Sequence, residues 1–175
     1  MTVSRVSTRA LASTAALAVL VVGACSPGEP APDGAVAHDA HRSAGSPPGL
    51  DPRGYADALV TATNAVRDEH GQPALEASPC ATDEALRRAE ALVGASLEHA
   101  PLDAVIEACA PAGGTAAENL SRAAALPTEV VGAWMDSHGH RANLLDPALT
   151  AVGAGCVADP SQGEGVLVCA EVFLG

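Results

Sequence analysis

The chain has 175 residues, 48% of them apolar but only 2% aromatic, so any core must be built from Ala, Leu and Val with few large anchors. Its formal charge is −12, with nine Arg, no Lys and no basic cluster. That balance excludes nucleic-acid binding through phosphate contacts and electrostatic adhesion to anionic lipid.

Residues 1–25 read as a targeting segment. Arg5 and Arg9 supply a positive start, and 11–22 is an apolar run too short to cross a bilayer. It ends in Val22-Gly23-Ala24-Cys25, which resembles a bacterial lipobox, where the Cys becomes the acylated first residue of the mature chain. The pattern predicts export and a lipid anchor at Cys25 on the outer face of the cell membrane, with no crossing helix. An ordinary secretory signal is the alternative. Loss of Arg5 and Arg9 with the leader would bring the charge to −14.

The cysteine count is five, which is odd for an exported chain. Setting Cys25 aside leaves Cys80, Cys109, Cys156 and Cys169. An even set in an oxidising compartment predicts two disulfides, with three ways to pair them.

Residues 26–50 are rich in Pro, Gly, Ala and Ser and read as a tether, partly stiffened by polyproline geometry. His38 and His41 lie within it. They could hold copper or zinc, but solvated linker histidines are the plainer reading.

The folded domain is expected over 51–175. Asp51-Pro52 is a helix start, an N-cap followed by Pro at the first helical position. Tyr55, Leu59, Ala62 and Val66 recur at helical spacing, and Gly71 follows as a stop. Asn64, Arg67 and His70 form a polar stripe on that helix. Residues 72–75 read as an extended connector. A second helix starts near Ser78-Pro79 or Thr82, with Leu86, Ala89, Leu92 and Val93 as its buried side. His99 follows in a turn, then one or two helical turns to Cys109. Residues 115–121 read as a short strand carrying Glu118. A third helix is predicted over 127–137, with Val130, Val131 and Trp134 inward. Gly139 should break it, leaving a short helix over 140–145 before Asp146-Pro147.

The end of the chain reads as a hairpin of strands 152–158 and 166–173. Its loop centres between Gln162 and Gly163, which puts Cys156 directly opposite Cys169. Facing residues have Cβ atoms close enough to bridge after modest adjustment. Cys80 then pairs with Cys109, and that bond should help hold His99.

The ordered set Asn64-x-x-Arg67-x-x-His70-Gly71, His99, Glu118-Asn119, Trp134-x-x-Ser137-x-Gly139-His140-Arg141-x-Asn143-Leu144-Leu145 and Val152-Gly153-x-Gly155 resembles the CAP superfamily. That superfamily includes the cysteine-rich secretory, antigen 5 and pathogenesis-related proteins (the SCP domain), and the likeness is nearest to its bacterial, lipid-anchored branch. The resemblance spans about residues 55–174. It implies an α+β fold: a three-layer α–β–α sandwich with a small, mainly antiparallel central sheet and a C-terminal β-hairpin. It also implies a groove lined by His99, Glu118 and His140, with Asn119 and Ser137 beside them. Structural roles follow for Asn64, Arg67, Trp134, Arg141 and Asn143. The second acidic position of the groove is Ser137 here. Asp136 is expected to face elsewhere, and His138 to be exposed.

Four readings are compatible with that groove. Two imidazoles and a carboxylate could ligate Zn²⁺ or another divalent cation through His99, His140 and Glu118. A hydrolase or protease would use His140 or His99 as base, Glu118 as orienter and Ser137 as nucleophile, although no oxyanion hole is evident. A binding module for a lipid- or sterol-like ligand or an extracellular protein fits better, and a surface scaffold with a vestigial groove is the remaining alternative. The chain is expected to be a monomer.

Overall fold

The computed structural model describes residues 51–175. The leader, Cys25 and the tether with His38 and His41 lie outside the described residues. Ten elements follow in order: α1 (Pro52–Glu69), β1 (Glu76–Ala77), α2 (Pro79–Leu92), α3 (Asp103–Cys109), β2 (Ala116–Ala123), α4 (Pro127–Asp136), α5 (His138–Leu145), β3 (Ala151–Ala158), a 3-10 turn (Pro160–Gln162) and β4 (Leu167–Leu174). No described helix is long and apolar enough to cross a membrane.

The sheet order is β1-β3-β4-β2, with β1 parallel to β3 and the other pairs antiparallel. Strand alternation gives the sheet two apolar faces, which explains the layers. Val152, Ala154, Cys169 and Phe173 pack with Tyr55, Leu59, Val131, Trp134 and Leu144 of α1, α4 and α5. Val168, Ala170 and Val172 pack with Ala81, Ala85, Leu92 and Val105 of α2 and α3. This is the expected α–β–α sandwich.

Local signals explain the first helix. The Asp51 carboxylate accepts the Gly54 N–H at 2.7 Å, satisfying an orphan donor of the first turn. After His70, Gly71 takes φ +69°, which stops the helix. The Asn64 and Arg67 stripe is structural. Asn64 exchanges two hydrogen bonds with the Leu75 backbone, and Arg67 is buried among carbonyls, whereas His70 is exposed.

Three expectations need correction. β1 lies within the stretch after the connector, where no strand is predicted from the sequence. The inner side of α2 is Ala81, Ala85, Ala89 and Leu92, while Leu86 and Val93 are exposed at 39% and 41%. The cause is in β3. A Cβ on Gly155 would lie 2.3 Å from the Leu86 nitrogen, so the bare glycine lets the α2 backbone rest on the sheet. Only an alanine face fits at that distance, and the larger side chains are turned outward. Finally, the break between α4 and α5 is at Ser137, not Gly139. Ser137 is extended (φ −98°, ψ 122°), and its carbonyl accepts the Arg141 N–H, starting α5 with Gly139 inside its first turn.

Both disulfides are formed as expected. Cys156 faces Cys169 across the β3–β4 ladder, with Cα atoms 4.2 Å apart. Cys80 joins Cys109, closing a 29-residue separation that contains His99. A bridge of that span is worth about 3–4 kcal/mol by restricting the unfolded chain.

Candidate functional site

The site grows from the free edge of β2. Alternation points Glu118 toward α2 and Asn119 toward α5. The same alternation leaves the Glu118 and Leu120 carbonyls facing away from β4. Asn143 Nδ2 donates to the Glu118 carbonyl at 3.1 Å, and Trp134 Nε1 donates to the Leu120 carbonyl at 3.0 Å. Thus α4 and α5 clip over the strand edge, which satisfies exposed backbone acceptors and fixes both helices against it. The only Trp of the chain is spent on this joint.

Asn119 is fully buried and completes the clip. Its Nδ2 donates to the His140 carbonyl at 3.3 Å, and its Oδ1 accepts from Asn143 at 2.9 Å. It therefore holds the backbone of His140 from beneath, which corrects its expected place on the groove wall.

On the other face, the Glu118 carboxylate is buried and fully engaged. Oε1 lies 2.8 Å from His99 Nδ1, and Oε2 accepts Arg88 Nε at 2.6 Å. Arg88 also donates from Nη2 to the Ala100 carbonyl at 2.8 Å. One guanidinium thus ties Glu118 to the loop that carries His99. Two further bonds pin the start of that loop. Arg122 Nη2 donates to the Leu92 carbonyl at 2.6 Å, and Gly94 N–H donates to Asp159 at 3.4 Å. Arg122 and Asp159 form an ion pair at 2.9 Å. Hydrogen bonds from Ser161 and Gly94 and the charge of Arg122 hold the Asp159 carboxyl below its ordinary range, against the opposing effect of burial.

His140 approaches from α5. Its ring centroid is 6.4 Å from that of His99 and 6.4 Å from that of Trp134. Burial lowers the His140 pKa, and the nearby His99 lowers it further. Because His99 Nδ1 faces a carboxylate oxygen, that nitrogen carries a proton, which leaves Nε2 to meet a ligand. His99 thus lies against Glu118 and near His140, half-exposed above a buried anion.

These residues do not fit a three-ligand metal centre. Both Glu118 oxygens are taken, one by a guanidinium whose fixed charge would oppose an adjacent divalent ion. Among the described residues no group of three or more His, Cys, Asp and Glu is arranged to hold an ion. Glu118 here orients His99 instead. Ser137 is half-buried, and among the described residues no hydrogen bond joins its hydroxyl to either imidazole. Asp136, His138 and Arg141 are exposed, and the Arg141 side chain forms no hydrogen bond among the described residues.

Arg88 belongs to no motif of the sequence. A signal for it exists. It falls between Ala85 and Ala89 on the inner side of α2, where a charge needs an anionic partner.

A three-layer sandwich that brings two imidazoles together over a clipped edge strand defines a CAP-type domain. The chain belongs to the cysteine-rich secretory protein family (CAP), which it matches over residues 60–170. Among solved structures, it is similar to an extracellular SCP-domain protein of Bacillus anthracis, with 22% identity over 69% of this chain and 40% of that one and a TM-score of 0.57. It is also similar to a cysteine-rich secretory protein of Staphylococcus aureus, with 20% identity, 73% and 40% coverage and a TM-score of 0.55. An outer surface protein of Borrelia burgdorferi matches at 15% identity, 71% and 95% coverage and a TM-score of 0.61. These likenesses establish the α+β fold. A curated relative, the uncharacterized protein YkwD of Bacillus subtilis, is 49% identical over 47 residues, 27% of this chain and 18% of that protein. The chain therefore covers less than half the length of that relative and of the Bacillus anthracis and Staphylococcus aureus proteins.

Proposed function

We propose that this chain is an exported, lipid-anchored binding module that holds a small amphipathic ligand, of the fatty-acid or sterol class, at the His99–His140 groove. The observation that carries the reading is the lock on Glu118. A buried carboxylate held by Arg88 orients His99 so that its free Nε2, and not a nucleophile, faces outward beside His140. Such a pair supplies hydrogen bonds to a polar head group. Leu97, two residues before His99 and 41% exposed, offers apolar surface on the same loop. Export is supported by the two disulfides and by relatives described as extracellular or outer-surface proteins, and the anchor by the lipobox pattern at Cys25.

Trp134, 6.4 Å from His140, is a built-in reporter. Titration with palmitate and with cholesterol should change its emission saturably, with or without a chelator. His99→Ala and His140→Ala should each weaken binding about tenfold, the loss of one anchoring contact; the Tm should hold in His140→Ala and fall in His99→Ala, which leaves a buried Glu118 oxygen unpaired. Equal binding by both variants contradicts the groove. Cleavage of a peptide library that His140→Ala abolishes would instead establish a hydrolase. Incorporation of labelled palmitate, lost in Cys25→Ser, tests the anchor.

A further inference from the structure

The sheet edge opposite β2 is partly open. β1 pairs only with Ala151 and Val152 of β3. The ladder is fixed at both ends: Asp159 N–H donates to the Val166 carbonyl, and the Val152 carbonyl accepts from Ser78 N–H. Alternation therefore turns the main-chain N–H and C=O of Ala154 and Cys156 away from β4. Among the described residues no strand pairs with them.

This edge is sunken. It floors a cleft of about 770 Å³ between the first turns of α1 and of α2. Ala56 and the exposed Leu86 give the walls apolar surface, and Ala154 and Gly155 keep the floor low enough for a backbone to approach. The rim is acidic, with exposed Asp51, Asp57 and Asp83 against the one cation Arg53.

We propose that the cleft takes an extended, basic peptide segment of another protein as an added strand on β3. Backbone groups at an open edge recognise an extended chain, and the pockets beside it select its side chains. A second copy does not fit that role, because α1 and α2 flank both sunken edges and keep two β3 strands apart. The carboxylate excess, in a chain of charge −12, selects for cations.

The test uses fluorescein-labelled Lys-Val-Lys-Ala-Lys-Val-Lys, followed by anisotropy against the full chain, with amide shifts mapped by NMR. The peptide should bind saturably, shift the Ala154 and Cys156 amides and protect them from exchange. An analogue N-methylated at alternate residues, which cannot pair as a strand, should lose binding. The Asp57→Asn, Asp83→Asn double variant should bind about tenfold more weakly. These are surface positions, so folding is not at stake. Absence of binding, equal binding by the N-methylated or a Glu-for-Lys peptide, or shifts confined to His99 and His140 would overturn the proposal. So would a dimer through β3 that the peptide does not displace.

Discussion

Arg67→Met should destabilise the protein by about 3–5 kcal/mol, enough to leave a marginally stable domain substantially unfolded. Arg67 is 1% exposed yet makes three bonds to carbonyls. Its Nε donates to Pro73 at 2.8 Å, and Nη1 donates to Leu144 at 2.8 Å and to Asp146 at 3.0 Å. Burial lowers the guanidinium pKa, and the Asp146 charge partly restores it. Met fills similar volume but leaves those acceptors unpaired in the interior, which is the costly half of losing a hydrogen bond. The damage should be directional. The Leu144 and Asp146 carbonyls end α5, the helix that presents His140. Chemical denaturation measures the loss, and a change within about 0.5 kcal/mol would show that the buried guanidinium is not a support.

Glu171→Gln should remove most of a pH dependence that runs opposite to ordinary acid unfolding. Glu171 is fully buried on β4, facing α1. Thr63 Oγ1 donates to its Oε2 at 3.0 Å, while Oε1 has no hydrogen-bond partner. Burial pushes its pKa from 4.5 up to about 8, and the Thr63 bond offsets only part of that rise. The unfolded chain therefore releases this proton near pH 4.5 while the folded chain keeps it. Between those values the folded state binds more protons, so stability falls as pH rises, by roughly 1.4 kcal/mol per unit at most, and levels off above the folded pKa. Gln cannot ionise, but its amide N–H would sit where Oε1 has no partner, a cost of about 1–3 kcal/mol. The net expectation is a gain of about 1–3 kcal/mol at pH 8 and a loss near pH 4, read as Tm against pH. Parallel profiles for both proteins would contradict it.

How much of this was legible beforehand divides along a physical line. Features set by neighbours in sequence were readable: the Asp51 cap, the helical stripe through Leu59, and the hairpin whose loop centre put Cys156 opposite Cys169. The convergence of His99, Glu118 and His140 was legible only through the ordered motifs of the family. Features set by packing were not. Two residues became β1 only because β3 offered an edge. The larger side chains of α2 turned outward because Gly153 and Gly155 brought the helix backbone down onto the sheet. Asn119 moved beneath the groove because alternation sends it to the face opposite Glu118. Arg88 required knowing which carboxylate faces the inner side of α2. The clip of Trp134 and Asn143 over β2 required knowing which carbonyls an edge strand leaves free.

At the centre of the proposed function, the His99 ring, held by the buried Glu118 carboxylate, and the His140 ring of α5 share one site. NMR titration of the His140 ring, in the native chain and in His99→Gln, tests it most directly. Burial and the charge of His99 together place the native His140 pKa below 6.5. Removing the neighbouring imidazole should move the His140 midpoint upward, while burial keeps it below that of a free histidine. An unchanged midpoint would mean that the two rings do not share a site.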